Sequence, residues 1–172
     1  MKSGAIISDC GLYRYALWRR WGEDRPLVFV MLNPSTADAA LDDPTIRRCI
    51  GFGQTLGFGG IEVVNLFAYR ATKPDDLRRA GWPVGPNNDD WITATAEHAA
   101  ETGGAICCAW GANADRLSRP RTVLDMIRAA GIEPQCLERT ASGAPSHPLY
   151  LPGATQLRPL MQSAQMGLGK VP

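Results

Sequence analysis

The sequence lacks the features that mark membrane, secreted and metal-dependent proteins. No stretch approaches the roughly 18 uninterrupted apolar residues of a membrane span. The N-terminus has no continuous apolar core followed by a small-residue cleavage site, as a signal peptide would. The five cysteines, Cys10, Cys49, Cys107, Cys108 and Cys136, form no CxxC pair and no other metal-ligand spacing. We therefore expect a cytoplasmic protein with reduced cysteines, without a metal, a cofactor or a membrane contact.

Net charge is almost absent. The chain has 18 Lys and Arg against 17 Asp and Glu, which leaves a formal charge of +1. That balance argues against polyanion binding over the whole surface and leaves a local basic patch as the route to nucleic acid. With 172 residues, of which 45% are hydrophobic, the chain has the length and composition of one globular domain. We expect a monomer with one domain over 1–172 and a core at about 26–162.

No common catalytic or nucleotide-binding motif is present. The sequence contains no HExxH, no P-loop and no GxSxG. The glycine-rich run at 51–60 lies at the end of a predicted helix, whereas a dinucleotide-binding loop lies between a strand and the start of a helix. Function must therefore be sought where the fold brings separate residues together.

Apolar, β-rich runs alternate with helical segments along the chain. The predicted central strands are 26–32, 61–65, 105–110 and 134–137, and the predicted helices are 44–56, 74–80, 91–101 and 122–130. This alternation predicts an α/β fold with a doubly wound, mostly parallel sheet and helices on both faces. Before it, Leu12–Trp18 and a turn at 22–24 predict an antiparallel hairpin that feeds the first central strand.

Two asparagines and one histidine follow predicted strand ends, where ligands bind in open α/β sheets. Asn33 closes the first central strand and Asn65 the second. Asn before Pro commonly starts a turn, but buried amides need partners, and two of them facing one crevice indicate recognition of a ligand. His147 lies between Pro145 and Pro148, which stiffen its loop.

Four short motifs, each after its own strand, resemble those of the uracil-DNA glycosylase superfamily. They are LNPS at Leu32–Ser35, VVNLFAYRATKP at Val63–Pro74, CCAWGANA at Cys107–Ala114 and HPLYL at His147–Leu151. The resemblance covers about Pro26–Leu151, and the chain is also similar to a bacterial family of domains of unknown function, number sixteen-forty-three. The resemblance to the uracil-DNA glycosylase superfamily implies a three-layer α/β/α sandwich around a mostly parallel, four-stranded central sheet, with the N-terminal antiparallel hairpin at its edge.

The resemblance also implies roles for residues. Asn33 would orient the attacking water, Asn65 would pair with the edge of the base, and His147 would donate a hydrogen bond to the departing base. Phe67 or Tyr69 would stack on the base, and the residues after His147 would wedge into a duplex. The implied catalytic residues are Asn33 and His147, and the implied substrate-binding residues are Pro34, Ser35, Asn65, Phe67, Tyr69, Arg70, Gly111, Pro148 and Leu149.

The function that follows is a DNA glycosylase-like hydrolysis of the N-glycosidic bond of a modified or deaminated base. The first motif departs from the pattern because it lacks a water-activating aspartate, and the cysteine spacing does not match four iron–sulfur ligands. Two alternatives stay open: a non-catalytic module that binds nucleic acid or a nucleotide, and a hydrolase of free nucleosides or nucleotides. A DNA partner would require a local basic rim, for which the candidates are Arg70, Lys73, Arg116, Arg119 and Arg121.

Overall fold

The computed structural model describes residues 1–23 and 25–161. Its strands are β1 Lys2–Ile7, β2 Arg14–Arg20, β3 Pro26–Met31, β4 Gly60–Asn65, β5 Ala105–Cys108, β6 Pro134–Cys136 and β7 Arg158–Pro159. Its α-helices are α1 Pro44–Thr55, α2 Pro74–Arg79, α3 Asn88–Thr102 and α4 Arg119–Ala129. Each predicted central strand and helix corresponds to one of these elements, with ends that differ by a few residues.

All strands belong to one sheet with the order β1-β2-β4-β3-β5-β6-β7. The predicted central strands β3, β4, β5 and β6 pair in parallel, with β3 between β4 and β5. The pairs β1–β2, β2–β4 and β6–β7 are antiparallel. The fold is therefore mixed α/β, and the expected four-stranded sheet is corrected to a mixed sheet that has seven strands in the described residues.

Strand β3 has a continuous apolar sequence because helices cover both faces of the sheet. All its residues are buried, and they alternate between two hydrophobic clusters. Val28 and Val30 pack in one cluster with residues of α3 and α4. Leu27 and Phe29 pack in the other with residues of α1. A strand that is buried on both faces reads as an unbroken apolar run, and this is the signal that the sequence carries.

The predicted N-terminal hairpin exists but has a different partner strand. Strand β2 pairs with β1 through a turn in which Ser8 and Tyr13 exchange hydrogen bonds, whereas we expected it to pair with β3. Strand β4 lies between β2 and β3, and Leu17 of β2 contributes to the core upstream of the expected start at 26. Residue 24 of the predicted turn, and 162 at the end of the predicted core, lie outside the described residues.

A bulge in the hairpin changes the direction of one charged side chain. Ile6 pairs with Ala16 and Ile7 pairs with Arg14, so Tyr15 is an extra residue in β2. Regular alternation would place Arg14 on the same face as Ala16, which packs in the cluster of α3 and α4. Instead, Nη1 of Arg14 donates to the carbonyl oxygen of Ala37 at 2.6 Å, and Ala37 packs in the cluster of α1. Bulges often redirect a side chain in this way beside a functional site.

The close pairing of β2 with β4 predicts that Gly60→Ala destabilises the fold. A Cβ at Gly60 would lie 2.8 Å from the backbone oxygen of Arg19, so the two strands must separate, at a cost of about 1–3 kcal/mol. Gly51→Ala is the control: it lies in α1 with open space around a Cβ, and we expect a gain of about 0.5–1 kcal/mol. Urea unfolding measures both, and an unchanged midpoint for Gly60→Ala would contradict the packing described.

Candidate functional site

A cavity of about 720 Å³ opens at the carboxyl ends of β3, β4 and β5. Strand β3 is followed along the chain by β4 on one side, whereas β5 pairs on its other side, and such a change of direction in an open α/β sheet creates a crevice for ligands. Of the residues that the sequence indicated, Asn33, Ser35, Asn65, Gly111, His147 and Leu149 line this cavity. The structure therefore brings both asparagines and the histidine to one place.

Asn33 ties together the loops that follow β3 and β4. Its Nδ2 donates to the carbonyl oxygens of Ala71 at 2.8 Å and Pro34 at 3.0 Å, with a longer contact of 3.4 Å to that of Tyr69. Since Nδ2 is fully used, Oδ1 is the polar atom of Asn33 that is left for a ligand or a water. The side chain can therefore accept a hydrogen bond inside the cavity while it holds the loops in place.

Asn65 is buried without a partner for its side-chain amide. Its residue exposure is 1%, and among the described residues nothing accepts a hydrogen bond from Nδ2. A buried polar group that is left unpaired costs about 1–3 kcal/mol. Because Asn65 also lines the cavity, its unpaired amide lies beside the space that a ligand would occupy.

Two buried side chains of the helices hold the backbone around Asn65. Nδ2 of Asn88 donates to the Asn65 carbonyl at 2.9 Å and to the Leu66 carbonyl at 3.2 Å. Nε of Arg119 donates to the same Leu66 carbonyl at 2.7 Å, and its Nη2 pairs with Asp89 at 2.6 Å. Helices α3 and α4 thus fix the end of β4, a role that the sequence did not reveal.

His147 is held in one tautomer by its own turn. Its Nδ1 accepts a hydrogen bond from the backbone N–H of Leu149 at 3.3 Å, so the proton of a neutral ring lies on Nε2. Burial lowers the pKa of His147 below its usual value of 6.5, although the nearby charge of Asp43 acts in the opposite direction. At neutral pH the ring is therefore uncharged, and its Nε2–H is a donor for a ligand.

The cavity contains one cation and one carboxylate that were not among the predicted site residues. Arg14, which is 2% exposed, lines the cavity, and so does Asp43. Asp43 is the N-cap of α1, because its Oδ1 accepts from the N–H of Ile46 at 2.9 Å. The available signal for Arg14 was its position directly before the aromatic and apolar run Tyr15–Trp18, but the direction of its side chain depends on the bulge.

The walls of the cavity are largely apolar. Trp110 follows β5, is 5% exposed and lines the cavity. Met31, Leu32 and Ile46 contribute to the same lining. An apolar lining that includes aromatic side chains and a few fixed polar groups is typical of small-molecule sites.

The remaining predicted site residues do not line this cavity. Phe67 is 3% exposed and packs on Trp82 in the core, with ring centroids 5.3 Å apart, so it cannot stack on a ligand here. Tyr69 and Arg70 line a neighbouring cavity of about 490 Å³. Pro34 and Pro148 are buried, and their carbonyl oxygens accept hydrogen bonds from the side chains of Asn33 and Arg48.

The predicted basic rim is wrong for Arg119. That side chain is 9% exposed and is occupied by Asp89 and the Leu66 carbonyl, so it cannot neutralise a DNA phosphate. Arg116 and Arg121 are exposed but line neither cavity. Within the described residues, no group of three or more His, Cys, Asp or Glu could hold a metal ion. In the same part of the chain, no helix is long and apolar enough to cross a membrane.

The fold and the site define an α/β protein with a cavity at the carboxyl edge of its parallel strands. Residues 14–149 match the model of a family described as "Protein of unknown function (DUF1643)", and the chain belongs to this family. The matched range contains every cavity-lining residue named above. Neither a curated protein nor a solved structure matches the chain.

The environment of His147 predicts a specific titration. Because its pKa in the folded state is lowered, the unfolded chain binds the proton more readily. Above pH 6.5 the contribution of His147 to the free energy of unfolding is fully present. It is lost as the pH falls from 6.5 through the lower pKa that His147 has in the folded state. We expect an imidazole NMR titration midpoint below 6.5 and a proton on Nε2 at pH 7. In His147→Gln, this part of the loss of stability on acidification should disappear; a midpoint at or above 6.5 would contradict the assignment.

Proposed function

We propose that this protein is a DNA glycosylase-like hydrolase that cleaves the N-glycosidic bond of a modified or deaminated base. The observation that carries the proposal is the unpartnered, buried carboxamide of Asn65 in the lining of the cavity. The edge of a nucleobase presents adjacent donors and acceptors, and a carboxamide complements such an edge with its N–H and its C=O. A bound base would supply the partner that the protein itself does not.

His147 supports the proposal because of the charge that develops in the reaction. As the glycosidic bond breaks, negative charge collects on the departing base and positive charge on the sugar. The Nε2–H of a neutral His147 would donate to an oxygen of the base, and a donor of this kind in a dry site typically contributes about 3–4 kcal/mol to the transition state. The ring need not transfer its own proton: the base leaves as an anion with the electron pair of the glycosidic bond, and it takes up the proton that the attacking water releases when its oxygen bonds to the sugar.

On the side of the sugar opposite the departing base, the reaction requires an attacking water. A negative charge near the sugar would stabilise its positive charge. Oδ1 of Asn33 would accept a hydrogen bond from the attacking water and so orient it. Asp43 would place a carboxylate near the positive sugar, and its position at the start of α1 is fixed by its bond to Ile46. Asp43 thus offers the carboxylate that is missing from the first sequence motif.

Trp110 takes the stacking role that the sequence had assigned to Phe67 or Tyr69. It lines the cavity, and an aromatic face accepts any planar base. At about 720 Å³, the cavity has the size of a site for one nucleotide-sized ligand. A base in a duplex would enter only after it had been flipped out of the stack, at a cost of a few kcal/mol.

The short 3₁₀ turn Pro148–Tyr150 supports a duplex substrate. It exposes 43% of Leu149 and 83% of Tyr150 at the cavity lining. The side chain of Arg48 in α1 donates to the carbonyl oxygens of Pro148 and Leu151 and holds this turn from below. Exposed apolar side chains on a braced turn are suited to fill the gap that a flipped nucleotide leaves.

The burial of Arg119 favours a second candidate function, the hydrolysis of a free nucleoside or nucleotide. Without Arg119 the predicted basic rim loses a member, and the formal charge of the chain is only +1. A small ligand needs no such rim. The same cavity would then act on the base of a nucleotide in solution.

Base release from altered substrates tests the proposed function. Oligonucleotides and free nucleotides that carry a panel of altered bases are incubated with the protein, and abasic sites or free bases are measured. Asn65→Ala should abolish release, and His147→Ala should lower the rate about 10²- to 10³-fold with a smaller change in affinity. Asn87→Ala, which removes an exposed amide outside both cavities, is the matched control and should behave like the wild type.

The outcome separates an enzyme from a binding module. Release that is lost in Asn65→Ala but kept in Asn87→Ala supports the proposal. A wild-type protein that binds an altered nucleotide tightly but releases no base from any substrate is a non-catalytic module, and the proposal is then wrong. Circular dichroism of each variant checks that the fold is intact.

The exposed turn predicts a difference between duplex and single-stranded DNA. Leu149→Ala should slow base release from a duplex by about tenfold, because unstacking is no longer compensated, but should change release from a single strand little. Leu41→Ala is the control, since Leu41 is 67% exposed and lies away from the cavity lining. Equal losses on both kinds of DNA would contradict a wedge.

A further inference from the structure

Strand β2 carries two buried arginines whose surroundings differ sharply. Arg19 is 1% exposed and is well satisfied: it pairs with Asp42 at 2.8 Å and donates to the carbonyl oxygens of Trp18 and Asp38 at 2.8 and 2.6 Å. Arg14 is 2% exposed and has one such bond, from Nη1 to the Ala37 carbonyl. Its Nε is buried without an acceptor among the described residues.

The charge of Arg14 persists in this position. Burial lowers the pKa of Arg14 to about 10, while the nearby Asp43 raises it and Arg70 lowers it. The guanidinium is therefore still protonated at neutral pH. Within the described residues, no carboxylate oxygen lies within 4.0 Å of it. A buried charge without a counter-ion is costly, and a ligand of opposite charge removes that cost.

Groups suited to an anion line the cavity that contains Arg14 and the smaller cavity beside it. The hydroxyl-bearing residues Ser35, Thr36 and Thr72 line both the main cavity and the smaller one beside it. Arg70 lines the smaller cavity, and its charge is close enough to influence Arg14. We call the set Arg14, Ser35, Thr36, Arg70 and Thr72 the cationic corner. A forked guanidinium with nearby hydroxyl donors is a common way to hold a phosphate.

We propose that the cationic corner binds a phosphate group of the substrate, with Arg14 as its principal contact. The inference rests on the proposed function for the identity of the base and adds the substrate class: a nucleotide that carries a phosphate, rather than a nucleoside or a free base. Asn65 reads the base while Arg14 holds the phosphate in the same cavity. The phosphate belongs either to a free nucleotide or to the DNA backbone, and the two sources share this chemistry.

Two carboxylates among the described residues oppose an anion here: Asp43 lines the main cavity, and Asp76 lines the smaller one. Asp43 is half-buried, and none of the ion pairs within 4.0 Å in the described residues joins it to Arg14, so it does not neutralise Arg14 directly. Its negative charge should weaken a bound phosphate through space. Asp43→Asn is therefore expected to strengthen phosphate binding several-fold, which provides a gain-of-function arm for the test.

The test is a thermal-shift and calorimetric titration of the full chain with inorganic phosphate, 2′-deoxyuridine 5′-monophosphate, 2′-deoxyuridine and a short single-stranded oligodeoxynucleotide. Sodium chloride at equal ionic strength is the reference for salt effects. We expect the monophosphate to bind about ten- to a hundredfold more tightly than the nucleoside, and Arg14→Gln to remove this difference. Arg19→Gln, a matched buried arginine on the same strand that does not line the cavity, should keep it.

Arg14→Lys is the second variant in case Arg14→Gln fails to fold. It keeps the charge without the fork and should retain a weakened preference for the monophosphate. The preference of the wild type needs no variant: equal binding of the monophosphate and the nucleoside, together with no response to the oligonucleotide, overturns the proposal. Arg14→Gln that binds the monophosphate as tightly as the wild type also overturns it. Tight binding of the monophosphate assigns the phosphate to a free nucleotide. If the protein responds to the oligonucleotide but not to the monophosphate, the phosphate belongs to the DNA backbone.

Failure of this inference and failure of the proposed function give different results. A phosphate preference that is lost in Arg14→Gln, with no base released from any substrate, leaves the phosphate site intact and refutes the hydrolase. Base release that is equal in the wild type and Arg14→Gln, with no phosphate preference, refutes the phosphate site and leaves the hydrolase intact.

Discussion

The parallel pairing of β3 with β4 on one side and β5 on the other is the constraint on which the site depends. Met31 lies opposite Asn65, and Val30 lies opposite Cys108. Because parallel strands end at the same edge, this register brings the loops after all three strands to one crevice. A shift of one residue in β4 would turn the Asn65 side chain to the opposite face of the sheet. The buried residues of β3 hold that register through both clusters.

The loops at this edge are held by side chains that bind backbone atoms. Nδ2 of Asn33 joins the loop after β3 to the loop after β4, and Asn88 and Arg119 hold the last carbonyls of β4 from the helices. These bonds satisfy carbonyl groups that lie beyond the sheet ladder. They leave the Asn65 amide and Oδ1 of Asn33 available. The backbone at this edge is therefore held by Asn88 and Arg119, which do not line the cavity, and by Asn33, which does.

The sequence was sufficient to predict the central elements, because their signals are local. The apolar runs of β3, β4 and β5 and the Asp43–Pro44 start of α1 each lie within a few residues. The sequence was not sufficient for the partner of β2, since the insertion of β4 beside it depends on contacts between residues forty or more positions apart in the chain. The candidate site shows the same difference between local and distant signals. Asn33, Asn65 and His147 could be proposed from the sequence because each lies at or after the end of a predicted strand.

Arg14 and Arg119 show why the rest of the site was missed. Both are arginines in segments where local pattern gives no direction for the side chain. An extra residue in β2 turns Arg14 into the cavity, and the packing of α4 against α3 turns Arg119 away from solvent and onto Asp89. From charge alone, we expected Arg119 to lie on an exposed rim and had no expectation for Arg14. Tertiary contacts decide whether such an arginine is buried and holds the backbone or faces the cavity.

The balance of charge inside the cavity bears on how such a site could work. Burial and Asp43 act on His147 in opposite directions, and the lowered pKa of His147 means that burial prevails. The imidazole therefore remains a neutral donor although a carboxylate is near it. If His147 were protonated, it would be drawn to Asp43, and the attraction would compete with a ligand for the ring. Keeping His147 neutral leaves Asp43 free to act on a positive centre and Arg14 free to act on a negative one. On the proposed function, these are the sugar and the phosphate of one nucleotide.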